Sequence, residues 1–439
     1  MFTPWLLSAL ARALIAGDPK PDAVVERCTE LLGKPWHWLK PLAVRYHETV
    51  APESHPNPPL REVLRFLQCD KGFRSASQRH RKALELVQPI PDPPEMHPVA
   101  AAKNWPVPAL TTVPELAHWL DLSLGELDWF ADLASLGYKN KTPRLRHYHY
   151  RVLQKDAMNV RLIEAPKERL KKLQQKILLE ILDQVPMHDS VHGFRKGRSI
   201  QTFCQPHVNQ LIVLKMDLRD FFPSISRARI QALCRTFGYP DPVADLLGGL
   251  CTNATPRDIW HDVAWETQML YRQPHLPQGA PSSPALANLC AYRLDCRLCA
   301  LAKTCSASYT RYADDLAFSG NAQFAECAER FSIQAAAIAA EEGFVVHHRK
   351  TRLMRRSVRQ HIAGLVINER PNIRRTDFDE LKAILTNCVR SGHEAQNRGA
   401  HPNFRLHLQG RIAFVKSINP NKGTKLVKLF ERISWEPIV

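Results

Sequence analysis

YTRYADDLAF, residues 309–318, sets two carboxylates, Asp314 and Asp315, between an aromatic-rich strand pattern and an apolar run. Adjacent carboxylates repel, and neither suits a core. A solvent-exposed hairpin turn accommodates them, because Asp is a common turn residue. A divalent-metal site accommodates them equally, because hard cations need oxygen ligands held at a strand end. The stretch alone does not choose between the two.

A further isolated carboxylate, Asp217, ends the apolar stretch LIVLKMD. An unpaired charge at the end of a buried strand is costly, and a metal ion removes the difficulty. Strands carrying Asp217 and the Asp314–Asp315 pair side by side would bring three carboxylates together, a set suited to two Mg²⁺ ions clamping a phosphoryl transfer. Asp220, slightly further on, reads as structural.

The bulk properties favour a polyanionic partner. The chain has 439 residues, enough for two or three domains, and 60 Lys and Arg against 43 Asp and Glu give a net charge of +17. Such a surplus points to nucleic acid. The opening MFTPWLLSALARALIAG lacks a basic start and is interrupted by Arg12, so it reads as an amphipathic helix rather than a signal peptide. No apolar run reaches membrane-spanning length, and no membrane partner is expected. The 11 cysteines are odd in number and have no framework spacing, which suggests reduced thiols in the cytoplasm. Cys296 and Cys299 have CxxC spacing but sit in a helical pattern without a second pair, so zinc is not expected.

Along the chain, residues 1–88 read as a helical extension. Seven prolines between positions 89 and 108 exclude regular structure, leaving a linker or extended strap over 89–110. Residues 111–140 read as a helical hairpin in which Leu116, Trp119, Leu120, Leu127, Trp129 and Phe130 are the packing positions. Few basic residues lie on it, so packing suits it better than DNA reading. From about 141 the pattern changes. YHYRVLQ and VRLIEAP read as a strand pair, PKERLKKLQQKILLEILDQV as an amphipathic helix, and QLIVLKMDL as a buried strand. In QGAPSSPALANL a turn leads into a helix capped by Ser283, with Pro284 first inside. FAECAERFSIQAAAIAAEEG is a helix stopped at Gly343. Residues 141–369 form one α+β block. Residues 370–439 fit a helical domain, with NFRLHLQGRIAFVKSINP its most amphipathic part.

Six stretches in order, VRLIEAPKERLKKLQQKILLEIL, HGFRKGRSI, KMDLRDFFPSI, LPQGAPSSPALANL, RYADDLAFSG and HHRKTRLMRRSVRQHIAGLVIN, resemble bacterial reverse transcriptases, and within them most closely the retron enzymes. The resemblance covers roughly residues 150–370 and reaches upstream into the helical hairpin. It implies an α+β right-hand polymerase: fingers, a palm with an antiparallel sheet, and a helical thumb, preceded here by the helical extension.

The resemblance also implies roles. Asp217, Asp314 and Asp315, with the backbone of Leu218, would hold two Mg²⁺, or Mn²⁺ in their place. Lys155 and Arg161 would grip the incoming deoxynucleoside triphosphate, and paired cations suit a polyphosphate. Phe222 falls at the steric-gate position against a 2′-hydroxyl; without the resemblance, a core aromatic beside Phe221 would be the favoured reading. Gln278 would contact the nascent pair or the nucleotide sugar. Lys350 would act as general acid to the departing pyrophosphate, though a lysine in so basic a stretch also suits phosphate binding. Arg195, Lys196 and Arg198 suit backbone contacts with template, while His192 without partners reads as structural. Between 345 and 375 nine Lys or Arg face one acid, Glu369. Arg349, Arg352, Arg355, Arg356 and Arg359 would therefore line a nucleic-acid groove, followed by a primer-gripping hairpin at HIAGLVIN.

Two stretches depart from the family pattern. Ile362, Ala363 and Gly364 stand where Val-Thr-Gly is common, and Arg257 stands where a histidine usually follows Asn253 and Ala254. Both lie in regions associated with recognising the cognate RNA. The implied function is RNA-templated DNA synthesis on a dedicated noncoding RNA primed from a 2′-hydroxyl. A branched RNA–DNA hybrid would be the product, host RNase H would remove template, and a separate effector protein would serve antiphage defence. A non-retron reverse transcriptase and a catalytically silent RNA-binding scaffold are the alternatives.

Overall fold

The computed structural model describes residues 4–52, 58–80, 84, 95–139, 142–154, 160–259 and 265–435. Two compact units emerge, and the chain passes between them more than once: residues 1–186 with 222–290, and residues 187–221 with 291–439.

The first unit begins with five helices, α1 (Pro4–Ile15), α2 (Pro21–Leu32), α3 (Leu39–Thr49), α4 (Leu60–Cys69) and α5 (Lys71–Arg79). Apolar residues at helical spacing converge from all five: Leu10, Leu14, Cys28, Leu42, Tyr46, Val63, Leu67 and Phe73 are buried in one cluster. The proline-rich stretch is a strap where it is described; residues 85–94 lie outside the described residues. The His97 and Val99 N–H groups donate to the Gly238 and Thr236 carbonyls at 3.0 and 3.2 Å, and the Tyr239 hydroxyl donates to Pro108 O at 3.1 Å. Gly238, at φ +103°, is needed there, because a Cβ would stand 2.7 Å from Pro98 N.

The helical hairpin forms over Val113–Trp119 and Leu124–Ala131, each opened by a reciprocal cap, Thr112 with Glu115 and Ser123 with Glu126. It packs within its own unit, as expected. Leu116, Leu120, Leu127 and Phe130 are buried, but Trp129 stays 49 % exposed, its ring edge-on to His147. Strands β1 (Tyr148–Gln154) and β2 (Val160–Pro166) pair antiparallel, as their alternation predicts. Helix Glu168–Glu180 buries Leu170, Leu173 and Ile177. The helix expected to be capped by Ser283 begins at Ser283 itself. Its hydroxyl is buried without a hydrogen-bond partner among the described residues, and the Ser282 carbonyl accepts the Leu286 N–H at 3.1 Å. The expectation fails because proline is tolerated anywhere in a first turn, so Pro284 did not fix the boundary.

The second unit is built on an antiparallel sheet. Strand β3 (Ile212–Arg219) is central, with β5 (Asp315–Gly320) on one edge and β4 (Ala307–Tyr312) beyond it. Its other edge is shared end to end by β6 (Val345–Val346) and β7 (Arg352–Arg355). Helix Ala322–Glu341 is capped by Asn321 and followed by Gly343 at φ +77°. Short strands β8 (His361–Ile362), β9 (Leu365–Val366) and β10 (Asn372–Ile373) form a separate ladder. Ala363 and Gly364, both at positive φ, make the two-residue β8–β9 loop.

Three helices close the chain: Arg375–Ser391, Phe404–Ile418 and Pro420–Phe430. The middle one is not the cleanly two-faced helix its sequence suggests, because Leu406 and Phe414 lie outward, 60 % and 47 % exposed. Its inner face, Leu408, Ile412 and Val415, joins one cluster with Val213, Met354, Leu381 and Leu385. Leu408 is fully buried, so Leu408→Ala is expected to cost about 2–5 kcal/mol, read as a lowered urea midpoint with an unchanged slope.

Candidate active site

The second unit brings Asp217 and Asp315 together as direct cross-strand partners on β3 and β5, with Asp314 in the turn between β4 and β5. The β4–β5 connection is two residues long, and its first, Ala313, has φ +55°. The Leu218 N–H donates to the Asp314 carbonyl at 2.9 Å, tying the turn to β3. Leu218, whose side chain is buried, thus contributes its backbone here.

Cations answer the crowded charge. Lys350 Nζ stands 2.9 and 3.1 Å from the two oxygens of Asp217. Lys215 Nζ lies 2.9 Å from Asp315 Oδ1, at ion-pair distance without hydrogen-bond alignment. Asp314 is the carboxylate left strained: burial, then the charges of Asp315 and Asp217, raise its pKa above the ordinary value, and Lys350 offsets this only in part. Among the described residues no group of three His, Cys, Asp or Glu side chains is placed to hold a metal ion as it stands. The donor set nonetheless fits a hard divalent cation: oxygen ligands, excess negative charge, and two ammonium groups already drawn to it.

What presents the turn was not apparent from the sequence. Arg311, fully buried on β4, forms a bidentate pair with buried Asp295, at 2.7 Å through Nε and 2.6 Å through Nη2. Its Nη1 donates to the Ala313 carbonyl at 3.2 Å, and the Tyr309 hydroxyl donates to Asp295 at 2.8 Å. On the other side, the His192 N–H donates to Arg311 O and the Arg311 N–H to Ser190 O, both at 2.8 Å. Gly193 then lies against the turn so closely that a Cβ would meet Ala313 N at 2.7 Å. Thus HGF of HGFRKGRSI braces the carboxylate turn. His192 is structural, as expected: its Nδ1 meets the Thr202 hydroxyl at 2.9 Å, and burial, followed by the nearby arginines, lowers its pKa to about 4.

Of the expected template contacts, Lys196 and Arg198 are exposed, while Arg195 is half-buried, donating to His188 O at 3.1 Å and paired with Asp189 at 3.5 Å. Arg349, Arg352, Arg355, Arg356 and Arg359 are all exposed around β7, in the same unit as the carboxylates.

The expected nucleotide contacts belong to the first unit. Lys155 lies outside the described residues. Arg161 is exposed on β2, and Phe222 is half-buried. Gln278 is held to β2 through its carbonyl, which accepts the Glu164 N–H at 2.8 Å; Gly279, at φ +131°, follows, where a Cβ would come 3.0 Å from Glu164 O. Beneath this contact sits a buried network that sequence reading missed. Glu164 Oε1 accepts from Asn253 Nδ2 at 2.7 Å and from the Thr255 hydroxyl at 2.8 Å. His275 Nε2 is 2.8 Å from Glu164 Oε2, and its Nδ1 is 2.8 Å from Gln273 O. Both ring nitrogens face acceptors, so the imidazolium is favoured. Glu164 raises the His275 pKa against the opposing effect of burial. Asn253 is therefore a packing anchor joining β2 to the Gln278 loop. Arg257 donates to the Tyr138 hydroxyl at 2.8 Å.

The reverse transcriptase (RNA-dependent DNA polymerase) family matches residues 152–367. The chain is 37 % identical to the Retron Mx65 reverse transcriptase of Myxococcus xanthus over 333 residues, 75 % of this chain and 73 % of that protein. It is 29 % identical to the Retron Ec86 reverse transcriptase of Escherichia coli, over 62 % of this chain and 77 % of that protein. Among solved structures, a telomerase from Candida tropicalis superimposes with a TM-score of 0.35 at 10 % identity, over 62 % of this chain and 54 % of that one, a likeness too loose to argue from. The α+β fold and the carboxylate-bearing sheet are those of a right-hand, RNA-directed DNA polymerase. Within that class, the chain belongs to the retron reverse transcriptases.

Three outcomes follow from the geometry. Gly193→Ala pushes a methyl group into the turn backbone and is expected to slow DNA synthesis on the order of 100-fold, the scale of an ångström-sized misplacement, in a primer-extension assay. Asp295→Asn removes the carboxylate that neutralises the buried Arg311 guanidinium and is expected to cost about 3–5 kcal/mol in chemical denaturation. Asp314→Asn removes a carboxylate whose folded pKa lies above its unfolded value. Ionisation of that group opposes folding at neutral pH and ceases to do so as pH falls below the unfolded value. The variant should therefore melt higher than wild type at pH 7, lose that advantage in acid, and be inactive.

Proposed function

We propose that this reverse transcriptase copies a cognate noncoding RNA into single-stranded DNA, priming from a 2′-hydroxyl of that RNA and leaving a branched RNA–DNA hybrid. The observation that carries the reading is the convergence of Asp217, Asp314 and Asp315 on one sheet rung and its turn, with lysines beside them. These three side chains and the Leu218 backbone would hold Mg²⁺, two ions in the full site, with Mn²⁺ a substitute. When bound, the metal lowers the barrier to displacement at the α-phosphate by stabilising the attacking and leaving oxygens.

The chain's own groups do the rest. Lys350 keeps an ammonium proton donor beside Asp217, suited to protonating a departing pyrophosphate. Arg161 and Lys155 supply cations for the triphosphate of a deoxynucleotide. Phe222 acts as the gate against a ribose 2′-hydroxyl. Gln278, fixed to β2 through its backbone, aligns the nascent pair. Arg195, Lys196, Arg198 and the five arginines around β7 follow the template backbone.

In this reading the enzyme works in the cytoplasm, host RNase H trims the template, and a separate effector protein couples the product to antiphage defence.

The test is expression with the flanking DNA, purification, and sequencing of the nucleic acid carried along, beside an Asp314→Ala, Asp315→Ala variant. Short DNA joined to RNA through a 2′–5′ branch, absent from the variant, is expected. Unbranched DNA overturns the priming step. Bound RNA without DNA in either preparation favours a silent scaffold.

A further inference from the structure

The five-helix extension forms one wall of a groove of about 1320 Å³ within the first unit. Arg12, Leu60, Arg61 and Leu64 line it from the extension, and Arg227, Arg235, Asp241 and Asp245 from helices Arg227–Thr236 and Asp241–Leu250. The walls are tied together where the Leu60 N–H donates to Asp241 Oδ2 at 2.8 Å. The volume exceeds the roughly 300–1,000 Å³ of ordinary small-molecule pockets, so it suits a length of chain.

Charge decides which chain. The two carboxylates are committed internally: Arg235, itself 8 % exposed, pairs with Asp241 at 2.8 Å and reaches Asp245 at 3.8 Å. Burial and the Asp241 charge raise the Asp245 pKa to about 6 despite the arginines. Arg227 donates to the carbonyls of Asp132 and Leu133 at 3.2 and 3.0 Å. Arg12 and Arg61 are exposed and stand within salt-bridge distance of no carboxylate among the described residues, although the Arg61 charge acts on Asp245.

From Arg61 the positive surface runs outward over α4 and α5. These helices meet at the single residue Asp70, which caps α5 and is neutralised by Arg45 at 2.7 Å. Arg65, Lys71, Arg74 and Arg79 are exposed on them, again without ion pairs among the described residues, and Glu62 is the one carboxylate within either helix. Unpaired arginines a helical turn apart repel unless a polyanion lies across them. The groove's apolar lining, including Ile15, Leu64 and Pro274, offers surface for unstacked bases.

We propose that this groove and the α4–α5 face form a further RNA site within the first unit, one that holds a single-stranded RNA segment, in addition to the arginines around β7 proposed for the template. An acidic protein segment is the competing occupant.

The test uses the full chain, stripped of nucleic acid, and a fluorescein-labelled 20-nucleotide single-stranded RNA of mixed sequence. Its affinity is measured by anisotropy across a KCl series, without metal or nucleotide, so the outcome is independent of whether the protein polymerises. An Arg61→Glu, Arg65→Glu, Arg74→Glu variant is compared with a control of equal charge change, Lys20→Glu, Lys34→Glu, Lys40→Glu. The arginine variant is expected to bind about 10–100-fold more weakly at low salt, with the log–log salt slope shallower by about 2, since each lost phosphate contact contributes about 0.7. The control should retain the wild-type slope. Equal losses in both variants, or no loss in either, overturn the proposal. So does labelled poly-glutamate that binds wild type but not the arginine variant while RNA binding is unchanged. If the glutamate variant melts abnormally, the matching Arg→Gln triple replaces it, with the same readings.

Discussion

Mutual repulsion of Asp217, Asp314 and Asp315 is the constraint around which the second unit is organised. Three carboxylates gathered at one rung and its turn would drift apart on an isolated hairpin. Here β3 pins Leu218 to the turn, Arg311 grips the Ala313 carbonyl from below, and Gly193 lets a second loop close over the turn. The lysines temper the charge without abolishing it, and Asp314 remains the strained member. Such strain is tolerated where the surrounding structure over-determines the geometry.

The support is itself costly chemistry. Arg311 and Asp295 are both removed from water, and a buried pair contributes little net stability. What it contributes is direction, since a planar guanidinium with a fixed fork holds Asp295 with one edge and the turn carbonyl with another. The first unit repeats the device with Glu164, which gathers Asn253, Thr255 and His275 under the contact between β2 and the Gln278 loop. In both units a buried charge positions a loop.

Much of this was legible in the chain. Alternation in YHYRVLQ and VRLIEAP, the apolar run before Asp217 and the spacing of Leu170, Leu173 and Ile177 reflect burial, which leaves a periodic trace. The carboxylates were legible because charge at a strand end is anomalous. Arg311, Asp295, Glu164 and His275 were not, because a polar residue satisfied by a distant partner looks the same in sequence as one facing water. Tyr-Thr-Arg-Tyr offered one hint, an arginine inside an otherwise buried strand pattern. Ser283 and the helix Phe404–Ile418 misled for a related reason. Local signals place a boundary or a face only approximately, and neighbouring structure decides which residues are finally covered.

The most direct measurement is single-nucleotide incorporation by the purified protein onto a primer annealed to an RNA template, in parallel with Asp217→Asn. The account predicts Mg²⁺-dependent extension by the wild type and a loss of at least about 100-fold in the variant, with both proteins binding the primed template equally. Comparable extension by the variant would contradict the assignment of the carboxylates. Tight binding without extension by the wild type would contradict the polymerase account itself.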